Sequence, residues 1–316
     1  MLLPRLFTLT LLTLGICAVQ PAAAQVLVPG TGRALKEVGD NFEDEKWEYV
    51  PNNPKSTQEN NKVDNLPIGE SKNARWYEGG KRGHPDLVRR VPTPAGGLEG
   101  STGALLMRSV FSGVKGRPSY HMQQDDLIAD VNYKLGGSLP VSRGPSVVTR
   151  VYLPPFKDWE KRTGPTFAFR ASTEAYTTKR SSGGFFSRGG SSRALETYWL
   201  GLFIDFKPDP NGDHSKDVAI MRIRADQSGQ DVPVLTINRT GWWTLGMSFT
   251  PDGQVHYFAR PDIKNLTAEN RIASEYPYGL KTETFKTFFF CVCSGDDGRT
   301  WSTEWIVDDP TVYVAR

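Results

Sequence analysis

The hydrophobic residues of this chain fall in short runs that alternate with polar residues, and little of the sequence repeats at helical spacing. β-Branched and aromatic runs separated by Gly, Pro, Asn and Asp are typical of strands joined by turns. Helical turns are predicted only within residues 158–162 and 267–274. We predict strands at Phe42–Val50, Ala104–Val110, Val147–Leu153, Thr166–Ser172, Thr197–Phe206, Val218–Arg224, Pro233–Ile237, Trp242–Phe249, Gln254–Ala259, Thr287–Cys293 and Thr303–Val314. Such a series favours an antiparallel sandwich or barrel over alternating strands and helices.

Turns and irregular segments divide this pattern. Pro251–Gly253 and Gly295–Gly298 are predicted hairpin turns, because Pro, Asp and Gly supply the backbone angles that tight turns need. The long, polar stretch Asn52–Gly100 is predicted to wrap the sandwich as irregular structure. Lys179–Arg193 is of low complexity and basic, which indicates an exposed, flexible hairpin tip.

The N-terminus indicates export. Arg5 precedes an apolar stretch, Leu6–Val19, and Ala22–Ala24 forms a small-residue cleavage site, so residues 1–24 are predicted to be a signal peptide. We therefore expect a secreted, periplasmic or cell-envelope protein cleaved after Ala24. The mature chain would begin with a leader at 25–40, followed by one domain at 41–316. No other run is apolar enough for a transmembrane helix.

Charge and cysteine content argue against two classes of protein, nucleic-acid binders and disulfide-stabilised scaffolds. The 38 Lys and Arg residues nearly balance the 35 Asp and Glu residues, and no long basic run argues for a nucleic-acid partner. Cys17 would leave with the signal peptide. Cys291 and Cys293 lie two residues apart on one face of a predicted strand, a poor geometry for a disulfide, so buried thiols are expected.

Alternation along the predicted strands separates a core face from an outward face. The outward positions that carry chemistry are Arg150, Tyr152, Arg170, Trp199, Asp205, Arg222, Arg224, Trp242 and His256. Aromatic faces can stack on sugar rings, and guanidinium groups bind carboxylate or sulfate through two hydrogen bonds. If these residues share one groove, they predict a site for an acidic polysaccharide.

Several segments resemble the concanavalin A-like lectin/glucanase superfamily. The similarity lies in Asn41–Asp44 followed by Trp47, in Gly241–Leu245 leading into Asp252–Tyr257, and in Trp305–Asp309 before the last strand. The resemblance implies an all-β, two-sheet antiparallel jelly-roll sandwich, with its first and last strands side by side and a carbohydrate-facing groove. The glucanase spacing E-x-D-x-x-E is absent, as are the R-[ST]-E-x-R and Q-x-H strands of the alginate-lyase branch.

Three functions therefore remain open: binding, catalysis and a structural role. A polysaccharide lyase would need a base and a charge-neutralising group. The candidates are Tyr152, Tyr257 or His256 with Arg150 or Arg170, and the run Tyr120–Gln123 is an alternative. Glycoside hydrolysis needs two carboxyl groups, and only Asp205 is outward, so it ranks below β-elimination. A structural envelope protein without a ligand would have its outward tryptophans covered by the long N-terminal segment.

A metal site is the last expectation. By resemblance to jelly-roll carbohydrate modules, a structural calcium ion would lie between the first and last strands, held by Glu43, Asp44, Asp308 and Asp309. A second acidic segment, Asp209–Asp213, begins like a calcium loop but lacks the closing Glu, so a turn is predicted there.

Overall fold

A computed structural model describes residues 27–57, 68–113, 115–180 and 191–315 of the chain. The strands in chain order are β1 Arg33–Gly39, β2 Tyr49–Val50, β3 Glu70–Ser71, β4 Trp76–Glu78, β5 Leu87–Pro92, β6 Gly103–Arg108, β7 Gln123–Ala129, β8 Leu139–Pro140, β9 Pro145–Leu153, β10 Gly164–Arg180, β11 Ser191–Lys207, β12 Val218–Arg224, β13 Asp231–Ile237, β14 Gly241–Phe249, β15 Val255–Arg260, β16 Arg271–Glu275, β17 Thr282–Ser294 and β18 Trp305–Val314. The helical elements are α1 Asn132–Leu135 and short 3-10 turns at Val141–Arg143, Phe156–Asp158, His214–Lys216, Ala268–Asn270 and Pro277–Gly279.

These strands form two antiparallel sheets. Sheet A has the order β16-β15-β14-β9-β18-β6-β5, with β1 also paired to β18. Sheet B has the order β13-β12-β11-β10-β17-β7-β4-β3-β2, with β8 also paired to β17. The predicted all-β, two-sheet antiparallel sandwich is confirmed.

The connections between the sheets give the sandwich its jelly-roll topology. Among the described strands the chain crosses between the sheets eight times, and three of these links are β6–β7, β9–β10 and β17–β18. The linked strands occur in the same order in both sheets, β9-β18-β6 in sheet A and β10-β17-β7 in sheet B. The chain therefore winds around the sandwich instead of completing one sheet before the other.

The core between the sheets is rich in aromatic side chains. Phe167 stacks on Trp305 with a centroid distance of 4.8 Å, and Trp159 packs edge-on against Trp305 at 5.0 Å. Phe288 and Phe290 of β17 also point into this core, where both are fully buried. Each such side chain contributes about 1.5–3 kcal/mol through removal of apolar surface from water, so the interior faces fix the two sheets together.

The structure corrects the predicted N-terminal region. The first strand is β1, within the stretch expected to be a leader, and it pairs with the last strand, β18. Only Tyr49–Val50 of the predicted strand Phe42–Val50 is extended. Residues 52–100, expected to be irregular, contribute β3, β4 and β5 to both sheets. Short strands interrupted by Gly, Pro and Asn carry too few alternating positions to be recognised from sequence.

Two turn predictions had different outcomes. Pro251–Gly253 joins the paired strands β14 and β15, as predicted. Gly295–Gly298 instead belongs to the connection from β17 in sheet B to β18 in sheet A, so it is not a hairpin within one sheet. Turn chemistry shows where the chain reverses, but not which sheet it enters next.

Some predicted features lie outside the described residues, namely the signal peptide at 1–24 and positions 181–190 of the basic segment Lys179–Arg193. That segment connects β10 and β11, which are antiparallel partners. In the described ranges, no helix has the length and apolar character needed to cross a membrane. Cys291 and Cys293 are buried free thiols, as expected from their spacing.

Candidate functional site

The outward residues predicted from alternation divide between two faces. Sheet A carries Arg150, Tyr152, Trp242 and His256 on β9, β14 and β15, whereas sheet B carries Arg170, Trp199, Asp205, Arg222 and Arg224 on β10, β11 and β12. The outer faces of a sandwich point in opposite directions, so the structure does not bring the two groups together. Alternation assigns a residue to an inner or outer face, but it does not say which sheet holds the strand.

The group on sheet A is covered by other parts of the chain. Trp242 is 7% exposed, and its Nε1 donates to the carbonyl of Pro94 at 3.3 Å. Arg150 is also buried and binds Asp309 and Asn265, each at 3.0 Å. The stretch 52–100 therefore covers one of the two outward tryptophans, as a structural role would require, but Trp199 on sheet B is exposed.

His256 and Tyr152 have structural contacts on the same face. The ring nitrogens of His256 lie 3.0 Å from the Thr250 hydroxyl and 2.7 Å from that of Ser274. Burial lowers the pKa of His256, with a smaller effect from Arg271. Tyr152 packs edge-on against Trp242 with a centroid distance of 5.4 Å. Arg170 lies on the other sheet. The predicted combination of Arg170 with either His256 or Tyr152 as the catalytic base is therefore wrong.

The outer face of sheet B centres on Arg170, whose guanidinium lies between two phenylalanine rings. Its Cζ is 5.2 Å from the ring centroids of both Phe203 and Phe289. The residue is 7% exposed, and its Nε has no hydrogen-bond partner among the described residues. It also forms no ion pair with any described carboxylate. A buried donor without a partner costs free energy, and an acceptor recovers it only after the groups that cover Nε move aside.

Strand register explains how this arrangement forms. Arg170 on β10 is paired with Gly201 on β11 and with Phe289 on β17. A Cβ at position 201 would lie 2.8 Å from Arg170 Cγ, so the glycine leaves room for the arginine side chain. Phe289 was not predicted as a site residue, because the run from Phe288 to Cys293 is apolar on both faces and gives no alternation.

Two further arginines extend the positive side of this face. Arg224 lies 5.0 Å from the Phe203 ring and binds both carboxylate oxygens of Asp231, at 2.8 and 3.1 Å. Burial opposes its charge, but the hydrogen bonds to Asp231 raise the pKa of Arg224 above its usual value. Arg222 lies 3.7 Å from Asp205, whose pKa is raised by burial. Asp205 thus acts as a counter-ion here.

Trp199 supplies the exposed aromatic surface of the site. It is 43% exposed, and Lys81 Nζ lies 5.8 Å from its ring centroid. The carbonyl of Trp199 accepts a 3.1 Å hydrogen bond from Tyr278 Oη, and Arg170 Nη2 lies 3.5 Å from it. Arg224 Nη1 is 3.4 Å from the same Tyr278 hydroxyl. Arg170 and Tyr278 thus share the Trp199 carbonyl as acceptor, and Arg224 contacts the same Tyr278 hydroxyl.

Tyr278 was not predicted from the sequence. Its φ of 62° lies in the left-handed region, which is unusual for a tyrosine. The ring packs over Gly229, where an added Cβ would lie 2.2 Å from a ring carbon. Strained residues held by their surroundings cluster at functional sites. The only sequence signal was Pro277–Gly279, which by itself indicates a turn.

The four predicted calcium ligands make other contacts. Glu43 accepts hydrogen bonds from the backbone and hydroxyl of Thr102, while Asp308 accepts one from Ser101 Oγ at 2.9 Å. Asp309 binds Arg150, and Asp44 accepts from a backbone N–H. Within the described ranges, no group of three or more His, Cys, Asp and Glu residues is arranged to hold a metal ion.

A second polar cluster lies at one end of the sandwich. Lys55 Nζ is 2.7 Å from Asp125 and 2.9 Å from Asp86, and both Lys55 and Asp125 are buried. Burial raises the pKa of Asp125 well above its usual value. Lys55 and Asp86 line a cleft of about 660 Å³ together with Phe111. Because Lys55 is already surrounded by acceptors, the cluster holds chain segments together.

The chain resembles known proteins only at low sequence identity. No protein-family model matches the chain, and no curated protein sequence matches it. The binding domain of Paraclostridial Mosquitocidal Protein 1 aligns with a TM-score of 0.37 and 9% identity, covering 79% of this chain and 47% of the other. The chain thus spans about half of that protein's length.

Two alginate lyases align similarly. The family 7 enzyme A1-II', in complex with substrate, gives a TM-score of 0.37 at 8% identity, covering 73% of this chain and 83% of its own. An alginate lyase from Pseudomonas aeruginosa gives 0.34 at 8% identity, covering 74% and 85%. These TM-scores are below 0.5, so the fold and the site rest on the chain's own residues.

Proposed function

We propose that the outer face of sheet B binds an acidic polysaccharide. The observation that carries this proposal is the guanidinium of Arg170, held between Phe203 and Phe289 with its Nε lacking a described partner. An arginine fixed by aromatic rings keeps its edge oriented for a carboxylate, which it can bind through two parallel hydrogen bonds. The missing counter-ion would come from the ligand.

The neighbouring residues support a sugar as the carrier of that charge. Trp199 presents an exposed ring close to Arg170, and amphipathic aromatic surfaces can cover the apolar faces of sugar rings. Arg222 and Arg224 are paired with Asp205 and Asp231, so Arg170 is the arginine of this face without a described counter-ion. A polysaccharide with repeated carboxylate or sulfate groups could contact both the Trp199 ring and the arginine.

Charge recognition is tested by comparing two arginine variants. Arg170→Gln should weaken binding to alginate or polygalacturonate about 10-fold or more, because a hydrogen bond to a charged group contributes about 1.5–3 kcal/mol. Arg89→Gln removes the same charge from an exposed position on sheet A and serves as the control. Retention on a neutral glucan should be the same for both variants. Equal loss of polyuronate binding in both would refute the role of Arg170.

Stacking is tested with two tryptophans of similar exposure. Trp199 and Trp301 are 43% and 39% exposed. Trp199→Ala should weaken polyuronate binding, while Trp301→Ala should not. Arginine contacts are screened by salt, but stacking is not, so raising the ionic strength should reduce wild-type binding only in part. A protein that retains no acidic glycan at low salt would leave the structural role as the remaining explanation.

A second candidate function is β-elimination on a uronate. The observation in its favour is Tyr278 Oη, which lies 3.4 Å from Arg224 and shares the Trp199 carbonyl with Arg170. A tyrosine beside arginines has the groups needed to remove a proton next to a carboxylate and to stabilise the resulting charge. Unsaturated products, detected by ultraviolet absorbance and lost in Tyr278→Phe, would establish a lyase. Binding without such products would establish a binding protein.

We also propose that the protein is exported, as its N-terminal sequence indicates. A polysaccharide-binding role at the cell envelope would place the protein where such polymers occur. Sequencing the N-terminus of the secreted or periplasmic material tests this, and Gln25 is the expected first residue. Recovery of the intact chain from the cytoplasm alone would contradict export.

A further inference from the structure

Two links between the sheets run side by side at one end of the sandwich. Ser294 at the end of β17 pairs with Gln123 at the start of β7, and Trp305 at the start of β18 pairs with Met107 near the end of β6. The β6–β7 link therefore begins beside the end of the β17–β18 link and ends beside its beginning. Side chains from these two links can meet although they are far apart in the sequence.

Asp296 of the β17–β18 link holds the β6–β7 link in place. Its carboxylate accepts hydrogen bonds from the backbone N–H groups of Ser112 and Ser119, at 3.3 and 2.9 Å, and its carbonyl accepts one from that of Tyr120 at 3.1 Å. Asp296 is 1% exposed. Both Asp296 and Tyr120 have a positive φ, of 48° and 58°, which is unusual for a bulky residue such as tyrosine. The backbone that carries the Tyr120 ring is therefore fixed, and strain of this kind clusters at functional sites.

A cleft of about 550 Å³ lies between the two links. The β6–β7 link contributes Phe111, Lys115 and Tyr120 to its walls, and the β17–β18 link contributes Asp297 and Arg299. Tyr120 is 73% exposed, so its ring is available at the cleft. Ligand pockets commonly have volumes of about 300–1,000 Å³. The cleft therefore has room for a small ligand.

The cleft carries more positive than negative charge. Lys115 and Arg299 are exposed, and neither forms an ion pair among the described residues. The Asp297 carboxylate accepts hydrogen bonds from the backbone N–H groups of Arg299 and Thr300, at 2.7 and 2.6 Å, and from the Thr300 hydroxyl at 2.6 Å. The bonds from Thr300 lower the pKa of Asp297, and its oxygens hold the turn. Two cations against one carboxylate favour an anionic ligand.

We propose that this cleft binds a short anionic saccharide, such as a uronate oligomer, at a site separate from Arg170. Lys115 and Arg299 bind the carboxylates of the saccharide, and the Tyr120 ring covers the apolar face of a sugar unit. The choice of a sugar rests on the proposed polysaccharide function, whereas the charge and the space are properties of the cleft itself.

Two neutral or sugar-free ligands identify which part of the saccharide the cleft recognises. The test follows protection of Tyr120 from hydroxyl-radical oxidation, and trigalacturonate should protect this ring. A neutral galactose trisaccharide should need a concentration about fivefold higher or more, because it has no carboxylate for Lys115 and Arg299. Acetate carries the charge without a sugar ring and should not protect Tyr120. Equal protection by the neutral trisaccharide would overturn recognition of the charge, and protection by acetate would overturn the choice of a saccharide.

A charge variant tests the residues of the cleft. Arg299→Gln should raise the concentration of trigalacturonate that half-protects Tyr120 by about fivefold, as expected for the loss of one exposed ion pair. Arg89→Gln, which removes a charge from an exposed position of sheet A, should leave this concentration unchanged. Tyr133, which is 83% exposed on α1, should react equally with and without the ligand in every sample. Absence of protection at Tyr120, or equal half-protecting concentrations in the two variants, would overturn the cleft site.

The Arg170→Gln variant separates this site from the proposed function. Protection of Tyr120 that persists in Arg170→Gln supports the cleft, even if that variant binds polyuronates as tightly as the wild type, which would refute only the role of Arg170. Protection that is lost in Arg170→Gln but kept in Arg299→Gln would overturn the cleft and leave the role of Arg170 standing.

Discussion

Arg170 and Gly201 occupy paired positions on β10 and β11, and the missing side chain of Gly201 provides the space in which Arg170 lies. The guanidinium then reaches the rings of Phe203 and Phe289 on the two neighbouring strands. A glycine inside a strand normally weakens it, and one here marks a position where another group approaches closely.

Gly201→Ala should therefore damage both stability and binding. The added Cβ would lie 2.6 Å from the Phe169 carbonyl oxygen and 2.8 Å from Arg170 Cγ. Overpacking of this kind costs about 1–3 kcal/mol, so the urea midpoint should fall, and displaced Arg170 should bind polyuronates less tightly. An unchanged midpoint together with unchanged binding would show that the space beside Arg170 is not needed.

Trp242→Ala should affect stability without affecting ligand binding. The ring is buried under the segment that contains Pro94, on the sheet opposite Arg170. Truncating a buried tryptophan costs about 3–5 kcal/mol, measurable by urea denaturation. The exposed Trp301 is the control, and its alanine variant should lose less than about 1 kcal/mol. Loss of glycan affinity in folded Trp242→Ala would contradict the assignment of the site to sheet B.

The Asp308 carboxyl should make stability depend on pH. Burial raises the pKa of Asp308 to about 6, from its ordinary value of 3.8. Between these values the folded state holds a proton that the unfolded state has released, so the free energy of unfolding falls as the pH rises from about 4 to 6. Asp308→Asn should flatten this dependence and stabilise the protein at pH 7 by on the order of 2 kcal/mol.

Glu43 provides the opposite control for Asp308. Burial alone would raise the pKa of Glu43, but hydrogen bonds from Thr102 lower that pKa below its ordinary value. Its contribution to stability is therefore lost as the pH falls, and Glu43→Gln should reduce the loss of stability in acid. Unfolding midpoints measured from pH 4 to 8 would separate the two effects. The same slope in wild type and Asp308→Asn would refute the role of Asp308.

Lys55→Met should strongly destabilise the fold. It would leave Asp125 and Asp86 without their shared cation, and breaking a buried ion pair costs about 3–5 kcal/mol. Lys72→Met is the matched control, because it breaks the exposed pair of Lys72 and Glu48, and such pairs contribute about 0–1 kcal/mol. Adding Asp125→Asn to Lys55→Met should restore part of the stability. Equal urea midpoints for the two lysine variants would contradict this account.

Calcium at the chain ends stays a prediction. If Glu43, Asp44, Asp308 and Asp309 bind the ion, excess calcium should raise the melting temperature above that in a chelator, because binding to the folded state alone stabilises it. Asp309 is already paired with Arg150 in this structure. Identical melting curves in calcium and chelator would exclude a stabilising ion.

The sequence by itself determined most of the strands and, in those where polar and apolar residues alternate, the inner or outer face of each residue. Val218–Arg224 was predicted with its observed bounds, and the turn at Pro251–Gly253 joins the strands it was expected to join. These features depend on near neighbours in the chain, through period-two alternation and the backbone preferences of Pro and Gly. The short strands among residues 52–100 carry too little of either signal.

Only the tertiary structure decided which outer positions share a face. Arg150 and Arg170 have the same local pattern, yet one is covered on sheet A and the other lies between two rings on sheet B. Strand partners are chosen by pairing between distant segments, which alternation does not record. The contributions of Phe289, Tyr278 and Lys81 depend on the same long-range contacts, because each reaches the site from another strand or turn.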